Sequence, residues 1–316
     1  MKIGTIGTSD ITRKFIEASL YVDQATVTSV FSRDEERGRA FAEQHGVSQV
    51  FSDLDEMLLT SLDVVYIASP NVLHFDHIMK ALDYGVHVIC EKPLLTSVEQ
   101  FEAAYAKADE KGLFLFEAMR NLHTPNFERL VTSLERVDYI QSAYFHRMRY
   151  SSKYEDYLQG YVHNVFKKEM AGGALLDLGV YPLSLAIALF GEPITSRYEP
   201  NQLETGVDAT GILTLQYDKF NCVIMCSKVA TSYNASEIHG ENGTIRIDNV
   251  APISDIEWLP HKGQDRLQLA EEEKRPNMSY ELEQFIGMIE NNDHELYHKY
   301  RRISRDVVSV VEKSLS

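Results

Sequence analysis

Through about residue 118, short β-branched runs alternate with amphipathic stretches about 10 to 15 residues long, a rhythm that predicts parallel βαβ units. The expected strands are Lys2 to Gly7, Ala25 to Phe31, Gln49 to Phe51, Asp63 to Ala68, His87 to Cys90 and Leu113 to Glu117. Val64-Val65-Tyr66-Ile67-Ala68 is apolar on both faces, as suits a sheet covered by helices on each side. Helical spacing runs through Ile11–Leu20, Glu35–His45, His74–Tyr84 and Val98–Lys111, with Gly85 and Gly112 where helix C-caps belong.

After about residue 120 the rhythm changes. A helix is expected at Pro125–Arg136, then longer strands at Tyr139–Tyr150, Gly206–Tyr217, Asn221–Ala230, Ala235–His239 and Thr244–Asn249. Short turns such as Tyr217-Asp218-Lys219-Phe220 imply antiparallel pairing. Helices at Ser279–Glu290 and Leu296–Ser314 close the chain. The fold class is therefore α/β: a doubly wound parallel sheet over residues 1–120, then an α+β domain with a largely antiparallel open sheet over 121–316. The last helix can pack back on the first domain.

Composition narrows the function. The 316 residues are 44% hydrophobic and 25% charged, and 31 basic against 47 acidic side chains leave a net charge of −16. That field repels polyanions and argues against nucleic acid as a partner. Cys90, Cys222 and Cys226 form neither an even disulfide set nor a zinc pattern, so reduced thiols and no metal are expected. No secretory segment and no run of about 18 apolar residues is visible, so the expectation is a cytoplasmic protein without a membrane partner.

Four stretches carry chemistry. The turn Gly7-Thr8-Ser9-Asp10-Ile11-Thr12 stands where a GxGxxG fingerprint would, with only its first glycine kept; the Ser9 hydroxyl and the amides at the helix start can meet a phosphate. At the end of the second strand, Ser32-Arg33 offers a hydroxyl and a guanidinium suited to the 2′-phosphate of NADP, with NAD the alternative through Asp34. Glu91-Lys92-Pro93 ends the fifth strand, where ligands of open α/β sheets bind and where an ammonium could hold a substrate hydroxyl. In Gly172-Gly173-Ala174-Leu175-Leu176-Asp177-Leu178-Gly179-Val180-Tyr181, a helix already under way at Asp177 puts that carboxylate and the Tyr181 phenol on one face.

Taken in order with Ser69-Pro70-Asn71, His74 and the turn Gly240-Glu241-Asn242-Gly243-Thr244, these motifs resemble the glucose-fructose oxidoreductase and inositol dehydrogenase (Gfo/Idh/MocA) family over nearly the whole chain. The resemblance implies a Rossmann domain, an open-sheet second domain and catalysis in a cleft between them. Tyr at 181, where many members have His, is similar to the branch with glucose-fructose oxidoreductase and dimeric dihydrodiol dehydrogenase. By that likeness Lys92 polarises the substrate hydroxyl, Tyr181 exchanges its proton and Asp177 orients the reacting groups. Ser69, Pro70, Asn71 and His74 line the nicotinamide side, and Glu91 contacts its ribose or carboxamide. Arg120-Asn121-Leu122-His123-Thr124-Pro125 departs from the dihydrodiol pattern. Substrate contacts are expected from Arg120, His123, Tyr161 and His163. The implied activity is hydride transfer between NADP and a secondary alcohol or carbonyl of a sugar, polyol or cyclic diol, in a homodimer or larger homo-oligomer. The rivals are a nucleotide-binding regulator and a sugar–sugar oxidoreductase that retains its cofactor.

Overall fold

Strands apolar on both faces need cover on both faces, and the first part of the chain supplies it by interleaving helices. The computed structural model describes residues 1–263 and 265–315, in two units: Met1–Ala118 with Arg275–Arg305, and Met119–Lys274 with Asp306–Ser316.

In the first unit, β1 (Lys2–Ile6), α1 (Asp10–Ser19), β2 (Thr26–Phe31), α2 (Glu35–His45), β3 (Gln49–Phe51), α3 (Leu54–Leu58), β4 (Val64–Ile67), α4 (His74–Asp83), β5 (His87–Glu91), α5 (Val98–Lys111) and β6 (Leu115–Ala118) follow the predicted alternation. The strands form one parallel sheet in the order β3-β2-β1-β4-β5-β6. The chain reverses direction of winding between β1 and β4, so the carboxyl ends of these two strands mark the crevice where such sheets bind ligands. Val64, Val65, Tyr66 and Ile67 are fully buried, and Phe15 from α1 stacks on Tyr66 at 3.7 Å. The later helix Asn277–Asn291 also belongs here: Phe285 stacks on Phe116 of β6 at 4.4 Å. Arg301, in the helix His294–Leu315, clamps Asp109 and covers the Tyr105 ring.

The second unit contains α6 (Pro125–Ser133), β7 (Ile140–Met148), α7 (Lys153–Leu158), a π turn (Leu175–Gly179) and α8 (Val180–Phe190), followed by β8 (Thr195–Gln202), β9 (Asp208–Gln216), β10 (Asn221–Ser227), β11 (Ser236–Gly240), β12 (Gly243–Ile247), β13 (Ile256–Pro260) and β14 (Leu267–Gln268). Its sheet runs β14-β13-β12-β11-β7-β10-β9-β8 and is antiparallel except for the pair β7 and β10. Helix α8 covers one face, with Phe190 stacked on Phe145 above buried Leu213, Leu215 and Ile224. Lys168–Phe190 is apolar enough to cross a membrane by composition, yet 72% of its most apolar window is buried, as in a core helix. On the other face of the sheet Ile212, Tyr144, Val223 and Met225 stay partly exposed.

The parallel and antiparallel sheets match the expected fold class, but α3, α7, β8, β13 and β14 are not among the elements expected from the sequence. Strand β8 reads Thr-Ser-Arg-Tyr-Glu-Pro-Asn-Gln. It is an edge strand, where proline and polar side chains are tolerated because one side of the ladder is unpaired. Strand β13 is short and closes on Pro260.

Two glycines separate backbone cost from packing cost. At Gly287, inside Asn277–Asn291, an added Cβ meets nothing within 4 Å; at Gly243 it lies 2.5 Å from the Trp258 ring and 2.8 Å from the Leu259 carbonyl. Gly287→Ala should therefore stabilise by about 0.5–1 kcal/mol. Gly243→Ala should destabilise by about 2 kcal/mol or more. Urea unfolding followed by circular dichroism measures both; Trp258, the one tryptophan, reports the second directly by fluorescence.

Candidate active site

In the first unit the β1–α1 turn is shaped by a close approach. Gly7 has φ +115°, and a Cβ there would stand 2.8 Å from the Ala68 carbonyl, so only glycine lets the chain leave β1 toward α1 at this height. Ser9 holds the N-cap position of α1 but makes no side-chain cap bond; its hydroxyl lies 3.3 Å from that of Thr12. The turn thus keeps Thr8, Ser9 and the amides of Asp10 and Ile11 at a helix N-terminus, an arrangement that suits an anion. Asp10 does not spoil it, because its carboxylate is engaged by Lys14 and Arg13, which hold it below its usual pKa.

The end of β2 divides its residues by task. Asp34 caps α2 by accepting from the Arg37 amide at 3.0 Å, and Ser32 donates its hydroxyl to the Asp34 carbonyl at 2.7 Å. Arg33 is exposed. Arg37, not singled out by sequence, reaches back to the Thr8 carbonyl at 3.4 Å. Arg37 therefore approaches the β1–α1 turn, Arg33 lies exposed at the end of β2, and Asp34 is occupied as a cap.

His74 is fully buried, and both its ring nitrogens face carbonyls: Nδ1 those of Pro93 (3.0 Å) and Leu94 (3.3 Å), Nε2 that of Ser69 (3.0 Å). It ties the Ser69-Pro70-Asn71 loop to the loop after β5. Burial lowers its pKa despite these acceptors. His77 meets the Ser69 hydroxyl at 2.9 Å, and burial, with the charges of His74 and Arg33, brings it to about 4. Glu91 accepts from the buried Tyr66 hydroxyl at 2.6 Å, and Glu117 accepts from the Leu94 amide at 2.9 Å. Burial raises the Glu117 carboxyl, while the Lys92 ammonium acts on it in the opposite sense. Lys92 thus follows Glu91 at the carboxyl end of β5, between two anchored carboxyl groups.

In the second unit the paired glycines have separate reasons. A Cβ at Gly172 would lie 2.7 Å from the Val165 carbonyl. At Gly173, with φ +126°, it would overlap the Asp208 carboxylate, which fills that space and accepts from the Leu175 amide at 2.7 Å and from the Tyr198 hydroxyl. Asp208 so fixes the start of the π turn that carries Asp177. Desolvation raises its pKa, and these donors oppose the shift. The chain is helical at Asp177 as the spacing predicts, but in a wider turn, a form frequent at functional sites.

Asp177 is ion-paired with Lys228, whose side chain is only 3% exposed and whose ammonium stands 5.8 Å from the Phe166 ring centre. No motif marked Lys228. Tyr181 is buried at the start of α8, its carbonyl accepting from Asn121 (3.4 Å) and from the Ser184 hydroxyl (2.9 Å). Arg120 and Arg147 approach its ring, 5.6 and 5.9 Å from the centroid. Arg120 and Tyr181, expected from the sequence as a substrate contact and a catalytic group, are therefore near one another, and Arg147 joins them. His123 is buried at the C-cap of the short 3-10 turn Arg120–Leu122. Tyr161, 65% exposed, and His163 instead pack on each other at 4.7 Å, with His163 bonded to Asp156 at 2.6 Å.

Comparison with known proteins agrees with this anatomy. A sequence model described as "Oxidoreductase family, NAD-binding Rossmann fold" matches residues 1–119, and the GFO/IDH/MocA C-terminal domain matches residues 139–246. The chain belongs to the Gfo/Idh/MocA oxidoreductase family, as its motifs led one to expect. It is 37% identical over 294 residues to the scyllo-inositol 2-dehydrogenase (NADP(+)) IolU of Bacillus subtilis, covering 92% of this chain and 89% of that one. It is 35% identical to an oxidoreductase, YgjR, of Escherichia coli, covering 96% and 92%. In fold it is similar to the 3-ketoreductase KijD10 of Actinomadura kijaniata, solved with NADP and TDP-benzene, with a TM-score of 0.87, 24% identity and coverage of 99% and 96%.

The ion pair can be tested within its own unit. Asp177 is 38% exposed whereas Lys228 is buried, so Asp177→Asn strands the Lys228 ammonium and should lower stability by about 2–4 kcal/mol. Adding Lys228→Met should recover about 1 kcal/mol or more of that loss, because the uncompensated buried charge is gone. A urea-denaturation double-mutant cycle measures the coupling.

Proposed function

We propose that the protein is an NADP-dependent dehydrogenase or reductase that moves hydride between nicotinamide and a secondary alcohol or carbonyl of a sugar, polyol or cyclic diol. The observation that carries the cofactor choice is the division of labour after β2: Asp34 is spent capping α2, whereas Arg37 reaches the Thr8 carbonyl of the Gly7 turn and Arg33 stays exposed at the strand end. A 2′-hydroxyl site needs a carboxylate there, and a 2′-phosphate site needs guanidinium. The NADP dependence in the name of the B. subtilis relative supports the same reading. Gly7, whose missing Cβ leaves room for close backbone approach, fits the pyrophosphate, with Thr8, Ser9, Asp10 and Ile11 around it. Ser69, Pro70, Asn71, Glu91 and Pro93 would hold the nicotinamide end, His74 bracing their loops.

When bound, the nicotinamide ring supplies the hydride acceptor or donor. Alcohol oxidation must also release the hydroxyl proton, and the protein's own groups carry that step. Lys92 would hold the substrate oxygen by its ammonium, favouring negative charge on that oxygen as hydride leaves carbon. Tyr181 would take the proton in oxidation and return it in reduction. Asp177, kept as a carboxylate partner by Lys228, would orient the reacting groups. Arg120 and His123 would add substrate contacts, with Tyr161 and His163 further candidates. The half-exposed sheet face around Tyr144, Val223 and Met225 supports a homo-oligomer, and the three free, buried cysteines support a reducing, cytoplasmic setting.

Arg33→Ala should weaken NADP binding about 10- to 100-fold, the value of a lost charge-assisted contact, with far less effect on NAD. Equal losses in calorimetric titrations of the two would remove the 2′-phosphate role. Lys92→Met should keep nucleotide affinity and lose kcat by at least about 100-fold on the best substrate found in a polyol and sugar panel. Full turnover by that variant would overturn the catalytic assignment.

A further inference from the structure

Around Tyr181 the second unit gathers more positive charge than hydride transfer to a neutral polyol calls for. Arg147 lies on β7 in the same alternation as Ala143 and Phe145, so its side chain turns toward α8 rather than the open face of the sheet. A guanidinium offers five N–H donors. One nitrogen of Arg147, Nη1, meets a neutral acceptor, Asn249 Oδ1, at 2.5 Å, and its buried Nε has no hydrogen-bond partner among the described residues. Its charged neighbours include two of the same sign, Arg120 and Arg149. The carboxylate acting on it, Asp177, is already held by Lys228.

Contact with the Tyr181 ring does not balance this arrangement. At 5.9 Å from the centroid Arg147 sits at the outer limit of a cation–π contact. Leaving a buried charged donor unmatched costs more than so distant a contact returns. Burial, together with the Arg120 and Arg149 charges, pushes the Arg147 pKa down, the sign expected of a cation short of counter-charge. All this stands in a chain of net charge −16, where basic residues are outnumbered.

We infer that this cluster recognises an anionic group on the substrate, so that the preferred substrate is a sugar or polyol bearing a carboxylate or a phosphate ester. Arg147 binds the anion, and Arg120 shares it from the other approach to Tyr181. The inference deepens the proposed oxidoreductase reading and rests on Tyr181 being its proton-exchanging group. A planar guanidinium matches either anion in bidentate fashion, so the geometry leaves carboxylate and phosphate to experiment.

The test uses the full chain with saturating NADP+ and two matched sets that differ only in the charged substituent: glucose, glucuronate and glucose 6-phosphate, and myo-inositol with its 1-phosphate. Expected is a kcat/KM at least about tenfold higher for an anionic member than for its neutral counterpart, the winning member naming carboxylate or phosphate. Arg147→Met and Arg120→Met should each cut that ratio by about tenfold or more, and Arg147→Lys should keep part of it. Neutral members equal to or better than both anions, or a ratio unmoved by the variants, overturns the inference. Calorimetric titration of the same compounds separates it from the underlying reading. Anion binding that Arg147→Met abolishes, without turnover of any compound, upholds the anion site and sinks hydride transfer; anions that bind no better than glucose overturn the site itself.

Discussion

The Asp208 carboxylate is the constraint on which the second unit's candidate chemistry depends. It occupies the volume a side chain at 173 would need and takes the Leu175 amide and the Tyr198 hydroxyl. That fixes where the π turn begins, hence where Asp177 and, one turn later, Tyr181 project. A buried carboxylate is costly unless its acceptor sites are filled, and filling them requires Leu175, Tyr198 and the glycine to stay in place together. The motif Gly-Gly-x-x-x-Asp is therefore a packing device first; its chemical content follows from the direction it imposes.

The first unit solves an analogous problem with backbone alone. Gly7 must pass under the Ala68 carbonyl, and this places the Thr8-Ser9 turn at the switch point between β1 and β4. The groups around it are then assigned by competition. Asp34 is consumed by the helix it starts, His74 by three carbonyls and Glu91 by Tyr66, while Arg33 stays exposed at the strand end. The balance of capping and hydrogen bonding, rather than the presence of any one residue, selects what can face a ligand.

This explains what was legible in the sequence and what was not. The parallel sheet could be read because two-sided burial leaves apolar runs and because the crossover helices carry amphipathic spacing, two of them stopped by glycine at Gly85 and Gly112. The polar edge strand β8 could not, since an edge needs neither apolar alternation nor a full set of donors. Lys92, Asp177 and Tyr181 stood out through local motifs. Lys228 and Arg147 did not, because their roles come from non-local pairing: β10 runs parallel to β7, with Ser227 opposite Met148, and only that register brings residues just beyond and just before it to the Asp177 and Tyr181 turns. No spacing along the chain encodes it.

The same non-local pairing sets the electrostatics. Lys228 is buried at the end of β10 and neutralises Asp177, which removes the carboxylate that could otherwise have answered Arg147. If Asp177 instead paired with Arg147, the guanidinium would be satisfied internally and the surroundings of Tyr181 would suit a neutral polyol. The buried lysine therefore does more than hold an aspartate: by engaging that charge it leaves Arg147 with capacity beside the phenol, in a protein of net charge −16. Guanidinium charge beside Tyr181 in a molecule of net charge −16 would attract small anions there, and that attraction weakens as salt shortens the screening length.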